Sequence, residues 1–326
     1  MTDLLTSGRI VHLQAILAHW DIPPVTSIVS LHEKNPVFKI TTTGPTFILK
    51  DISHAPNLTR LEFTHDVLAH VARTGLSVPL PLLSRSAQLA VPAAGQFYLL
   101  SEFIEAGEYP KPEQMGELFF ATGQAIATLH QALATYPDAA VSQKTWRQAL
   151  AEQVAEWISV LGAGLPAAES TVVQRVGQKR GVAIEAGLRG LPEQLIHRDC
   201  HPGNILVQGT RVISFIDWED LCIGPRLFDL AYYAAHHLKR VMGDAVATRR
   251  WLTNLPHLLT GYRSVQNLSP TEMAAFPYAI IAYHLLLAHW FMGLSRPASI
   301  AREVQALDWI DRHFDAIVNV TKSTNA

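Results

Sequence analysis

The apolar pattern changes character near residue 104, and that change restricts the chain to few architectures. Upstream, short β-type runs cover 27–31, 37–42 and 46–50, and Thr43-Gly44-Pro45 turns the second into the third. Two more β-type segments are predicted near 82–89 and 97–103. An opening helix spans 11–20, with Leu13, Ile16, Leu17 and Trp20 at helical spacing and Pro23-Pro24 ending it. A second helix covers 58–73, with Asn57 as N-cap, Gly75 as stop, and Leu58, Leu61, Leu68 and Ala72 as its apolar face. Downstream, helical periodicity dominates, starting with Met115, Leu118, Phe119, Thr122, Ile126 and Leu129. One hairpin interrupts it: 205–207, a turn at Gln208-Gly209-Thr210, and a return along 211–216. A sheet-rich third before a helical remainder predicts an α+β chain of two lobes, 1–104 and 105–326.

Composition narrows the function. The 326 residues are 48% hydrophobic and carry a net charge of −2, so no global basic field holds nucleic acid or an anionic membrane. Two cysteines, Cys200 and Cys222, cannot build a disulfide framework and fit a reducing cytoplasm. No cationic stretch followed by an apolar run opens the chain, so no signal peptide is expected. The apolar stretch 278–294 is shorter than the ~20 residues of a span and is interrupted by His284 and His289, which predicts a buried helix. Neither His236-His237 nor His284 and His289 has the spacing of a zinc helix, so packed or solvated histidines are expected.

The chemistry concentrates in Leu195-Ile196-His197-Arg198-Asp199-Cys200-His201-Pro202-Gly203-Asn204-Ile205-Leu206 and, across the hairpin, Ile216-Asp217-Trp218-Glu219-Asp220. Phosphoryl transfer needs a carboxylate to orient the attacking hydroxyl and hard oxygen ligands for Mg²⁺. Asp199 supplies the first and Asn204 one ligand. The hairpin returns Asp217 beside Asn204 as the second.

These residues resemble the kinase superfamily, and within it the aminoglycoside phosphotransferase/choline kinase-like family. His-x-Asp, then Asn five positions on, then Ile-Asp-Trp is similar to that family's catalytic and metal motifs, and 224–231 to its next signature. The likeness implies a bilobal protein-kinase-like fold, ATP and Mg²⁺ as cofactors, and a small-molecule hydroxyl as acceptor. It implies Asp199 as catalytic, Asn204 and Asp217 as metal ligands, and His197 and Asp229 as supports of the catalytic loop. On the nucleotide side it implies Lys50 paired with Glu62, Val37 and Ile48 above adenine, Leu206 beneath it, and a hinge near Glu102 and Ile104. The phosphate-covering loop, 31–36, lacks the usual glycine, leaving Asn35 as a donor. His201, Trp218, Glu219 and Asp220 are candidates for the acceptor side, where the two carboxylates would favour an amine-bearing substrate. The first lobe resembles the homoserine-kinase-type branch.

Two other classes compete. A serine/threonine protein kinase of this fold would need an activation segment, and none is recognisable between Asp217 and Gly224. A non-catalytic nucleotide-binding pseudokinase would not need the complete set Lys50, Asp199, Asn204 and Asp217. No feature sets the oligomeric state.

Overall fold

A computed structural model describes residues 7–31, 36–52, 57–93, 95–137 and 145–322. The chain divides into two compact units, Met1–Glu105 and Ala106–Ala326.

The first unit is built on an antiparallel sheet of order β1-β2-β3-β5-β4, with β1 Val25–Ser30, β2 Val37–Thr42, β3 Thr46–Asp51, β4 Val91–Ala93 and β5 Gln96–Glu102. Strand alternation sends Phe38, Ile40, Phe47 and Leu49 to one face. Helix α1, Ser7–Leu17, covers that face with Leu13, Ile16 and Leu17, and Trp20 follows just past its end. The opposite face carries Val37, Ile48 and Lys50, and Val37 lies directly across from Lys50. Helix α2, Leu58–Arg73, begins at Asn57, whose side chain accepts from the Arg60 N–H at 3.1 Å. Its buried stripe is Phe63, Val67, Leu68 and Val71, rotated from the expected Leu58–Leu61–Ala72 face; Leu58 is exposed.

The predicted strand over 82–89 is not formed. Ser84 N–H bonds the Gln88 carbonyl and Ala87 adopts φ 59°, so a tight turn consumes the segment. The strand pairing beside β5 falls instead to β4.

The second unit is helical apart from two short two-stranded sheets. Its helices are α3 Met115–Ala134, α4 Leu150–Gly164, α5 Ala167–Leu188, α6 Leu227–Val241, α7 Ala245–Arg263, α8 Pro270–Gly293 and α9 Pro297–Lys322. Strands β7, Ile205–Gln208, and β8, Arg211–Phe215, form the expected hairpin, with Gly209 at φ 60° in its two-residue loop. Strands β6, Glu193–Ile196, and β9, Cys222–Pro225, pair with each other, a sheet that the sequence pattern does not predict. Helix α6 is the buried axis and touches α3, α7, α8 and α9. Arg226, its N-cap residue, ties it to α8 through two guanidinium bonds to the buried Glu272, at 2.7 and 2.9 Å. Helix α8 is 24 residues long and apolar enough by composition to span a bilayer, but 67% of that apolar window is buried inside the structure.

Helices α3 and α7 approach backbone to backbone at two glycines. A Cβ on Gly123 would collide with the Leu258 carbonyl, and one on Gly261 with the Phe120 carbonyl. Alanine would add ~1 kcal/mol of helix propensity, but no flexible side chain is available to yield. Gly123→Ala is therefore expected to destabilise the protein by roughly 2 kcal/mol net. Thermal unfolding checks this: an unchanged or raised Tm would contradict the close crossing.

Candidate active site

Paired strands β6 and β9 hold the start of the loop that carries the catalytic motif, and the β7–β8 hairpin holds its end. The central bond acceptor is Asp229 in the first turn of α6, fully buried. Its carboxylate accepts from the backbone N–H of His197 at 3.0 Å and of Arg198 at 2.8 Å, and lies 3.0 Å from His130 Nε2. Arg198 sits at φ 68°, a left-handed conformation that costs a non-glycine residue about 1–2 kcal/mol. Its side chain is also anchored: Nε donates to Gln148 Oε1 and Nη1 to Asp220 Oδ2, both at 2.8 Å, with the guanidinium over the Trp146 ring.

His197 ties the loop to the end of the hairpin. The Asp199 N–H donates to its Nδ1 at 3.3 Å, so Nε2 carries the proton that is donated to the Ile216 carbonyl at 3.0 Å. Trp218, buried at 4% exposure, packs its ring 4.8 Å from the His197 ring and donates its indole N–H to the Phe215 carbonyl. It stands behind the loop as packing, which corrects its expected place on the acceptor side. Asp220 likewise spends its carboxylate on Arg198, whereas Glu219 is exposed.

Asp199 and Asn204 are in direct contact. Asn204 Nδ2 donates to the Asp199 carboxylate at 2.7 Å and to the Asp199 carbonyl at 3.1 Å, which leaves Asn204 Oδ1 as its remaining oxygen donor. The Ile216 N–H donates to the Asn204 carbonyl at 2.9 Å, so Asp217 is the next residue along the return strand. Asp217 is exposed at φ 63°. The pair Asn204 Oδ1 and Asp217 carboxylate is a hard-oxygen set of the kind that Mg²⁺ takes with phosphates and water. No group of three or more His, Cys, Asp or Glu that could hold a metal occurs among the described residues.

Electrostatics mark the same place. Burial pushes the Asp199 carboxyl above the ordinary aspartate value, opposed by His201, by the Tyr232 hydroxyl and by His197. His201 has Nε2 3.6 Å from Asp199, accepts the Gly203 N–H at 2.9 Å, and stacks 4.9 Å from His236. Burial lowers His201 below an ordinary histidine. Cys200 is fully buried with its thiol pushed well up by burial, so it is an inert filler.

Sequence reasoning missed a network on α6 and its neighbours. Tyr232 packs edge-on against Tyr283, whose hydroxyl lies 3.2 Å from His236 Nδ1. Lys239 donates to the buried Glu303 at 2.7 Å, and Glu303 in turn bonds His284 at 2.7 Å. Gln148, too, reaches Arg198 from fifty residues away. The i, i+4 and i, i+7 spacing of Tyr232, His236 and Lys239 from one helix was the available signal.

In the first unit, Lys50, Val37 and Ile48 share the sheet face away from α1. Glu62 is exposed and has no ion-pair or hydrogen-bond partner among the described residues, so the expected Lys50–Glu62 pair is not made. The buried stripe of α2 turns Phe63 inward and leaves Glu62 outside it. Glu102 ends β5 and Ile104 follows it; the Phe103 N–H between them donates to the Thr46 carbonyl at 2.8 Å. Leu206, in the second unit, is half-buried in β7 opposite Ser214. Asn35 lies outside the described residues.

A model of the phosphotransferase enzyme family matches residues 27–267 of this chain. Homoserine kinase of Sinorhizobium medicae strain WSM419 is 28% identical over 267 residues, covering 80% of this chain and 77% of the relative. Among solved structures, a microcompartment-associated aminopropanol kinase superposes with TM-score 0.70 at 18% identity, over 95% of this chain and 98% of its own. An amicoumacin kinase in complex with AMP-PNP, Ca²⁺ and Ami gives 0.67 at 21%, over 93% of each chain.

Two expectations follow. Asp229→Ala leaves the buried N–H groups of His197 and Arg198 without acceptors, at about 1–3 kcal/mol each. A lower urea midpoint together with a large loss of turnover is expected; an unaltered midpoint would mean that the loop is held otherwise. The second concerns pH. Burial lowers His237 to about 3 and His236 to about 2. The unfolded chain, with histidines near ~6.5, therefore binds protons that the folded chain refuses. Stability is complete above that unfolded value and falls by up to about 1.4 kcal/mol per pH unit per histidine as pH drops below it. Urea midpoints between pH 7 and pH 5 measure the slope, and His237→Gln should flatten it.

Proposed function

We infer the reaction from one premise: this chain belongs to the phosphotransferase enzyme family, whose model matches it over residues 27–267. It is an ATP-dependent kinase whose acceptor is a hydroxyl group of a small molecule. Within that reaction we assign roles as follows. Asp199 orients the acceptor hydroxyl and receives its proton, and in-line attack on the γ-phosphorus breaks the bond to the bridging oxygen. Asn204 and Asp217 hold Mg²⁺, which when bound neutralises charge on the phosphates. Lys50, on its own sheet face with Val37 and Ile48, serves the nucleotide.

One observation carries this reading. Asn204 binds the Asp199 carboxylate through nitrogen and keeps its oxygen for a cation, while the Ile216–Asn204 backbone bond sets Asp217 alongside. His197 and Asp229 hold the loop in that form, and the left-handed Arg198 and Asp217 are the strain expected where a structure over-determines a functional geometry.

For the acceptor, we favour an amine-bearing hydroxyl compound. The support is the exposed carboxylate of Glu219 following Asp217, and the homoserine and aminopropanol named for similar proteins.

ADP release should be measured across homoserine, amino alcohols, aminoglycosides and matched alcohols without an amine. Asp217→Ala is expected to abolish Mg·ATP turnover with an unchanged circular dichroism spectrum; full activity would remove the metal assignment. Asp199→Asn should keep nucleotide binding while turnover drops roughly 10²–10⁴-fold, and near-normal turnover would refute its role.

A further inference from the structure

A cavity of about 350 Å³ is lined wholly by residues of the helical unit, none of which belongs to the candidate active site. Helix α6 contributes His237, Arg240 and Val241 at i, i+3 and i+4; α7 contributes Arg250, Trp251 and Asn254. Phe119, Met115 and Tyr109 close the apolar side.

The cavity joins an apolar body to unspent cations. Arg240 and Arg250 have no carboxylate partner within salt-bridge reach among the described residues. Asp244, whose charge Arg250 feels, is an exposed helix cap turned to the N–H groups of Val246 and Ala247. His237 is neutral, its pKa lowered to about 3 by burial, and its Nε2 lies 3.2 Å from the Tyr109 hydroxyl, so it adds no competing charge.

Asn254 lines the same cavity and is 7% exposed. Its amide is not shut off from solvent, so it stays open to a ligand that accepts from it and from the guanidinium groups. The volume falls within the range of small-molecule sites, and mostly apolar walls with a few convergent polar groups are their usual composition.

We propose that this cavity is a binding site for a small carboxylate with a flat apolar body, seated against Tyr109 and Met115, with its carboxylate between Arg240, Arg250 and Asn254. The site is independent of the phosphotransfer assignment. It shares α6 with the catalytic loop, since His236 stacks on His201 and the next residue, His237, lines the cavity.

Calorimetric titration of the full chain with indole-3-acetate, phenylacetate and benzoate, each with saturating Mg·ADP present, tests this. Indole-3-acetamide is the uncharged control. At least one acid should bind saturably and at least about tenfold more tightly than its amide, as charge-assisted bonds require. Arg240→Gln and Arg250→Gln should each weaken it about tenfold. Asn254→Leu should fill the space and abolish binding of every probe, with the Tm retained. ADP production should be unchanged in all three variants without ligand. Absence of saturable binding of any acid to millimolar concentration overturns the proposal. So does equal affinity of acid and amide, displacement by Mg·ADP, or undiminished binding in the arginine variants.

Discussion

The buried carboxylate of Asp229 is the interaction on which the rest of this site depends. It has been taken out of water completely, and the donors that compensate it are two consecutive backbone N–H groups and one imidazole. Arg198 itself sits at φ 68°, so the chain turns sharply straight after these two donors. Once Arg198 is turned, its side chain is led to Gln148 and Asp220, and the chain leaves toward Asp199 with its N–H on His197. The paired β6 and β9 and the Arg226–Glu272 pair fix where Asp229 itself stands. The geometry of the candidate site is inherited from a charge that lies wholly inside the structure.

Helix α6 extends that logic. It is apolar enough to be buried on nearly every side, yet it carries polar groups to different places along its length. Asp229 braces the loop, and Tyr232 and His236 approach Asp199 and His201. Tyr233 bonds Thr122, and His237 meets Tyr109. Burial keeps its histidines neutral, so the helix offers hydrogen-bonding surface without adding positive charge next to Asp199. Lys239 has its charge answered by Glu303, itself shared with His284.

Much of this is legible in the order of residues alone. Helix α2 begins and ends where its cap and stop residues predict, and the hairpin turns at Gly209 because a two-residue loop needs φ > 0 there. The proximity of Asn204 and Asp217 follows from the same hairpin. Other parts are not legible. The segment 82–89 has strand-like residues but closes on itself through Ser84 and Gln88, a local choice that side-chain alternation does not register. Strands β6 and β9 are four residues each and too short to show a period. An aromatic beside a catalytic motif reads as a substrate wall, but burial of Trp218 against His197 assigns it to packing. The family likeness implies Glu62 as the partner of Lys50, but the stripe Phe63–Val67–Val71 decides which way α2 faces.

Local order, the type of each long element, and the residue types that suit phosphoryl transfer can be read from the chain, because turn chemistry, periodicity and ligand type are properties of neighbours in sequence. Which carboxylate braces the loop and which lies beside Asn204 and His201, which aromatic packs and which tyrosine faces Asp199, and where two arginines and an asparagine line an apolar cavity are settled only in three dimensions. Those outcomes depend on desolvation and on partners fifty or a hundred residues away, such as Gln148 for Arg198 and His130 for Asp229, and no local pattern encodes them.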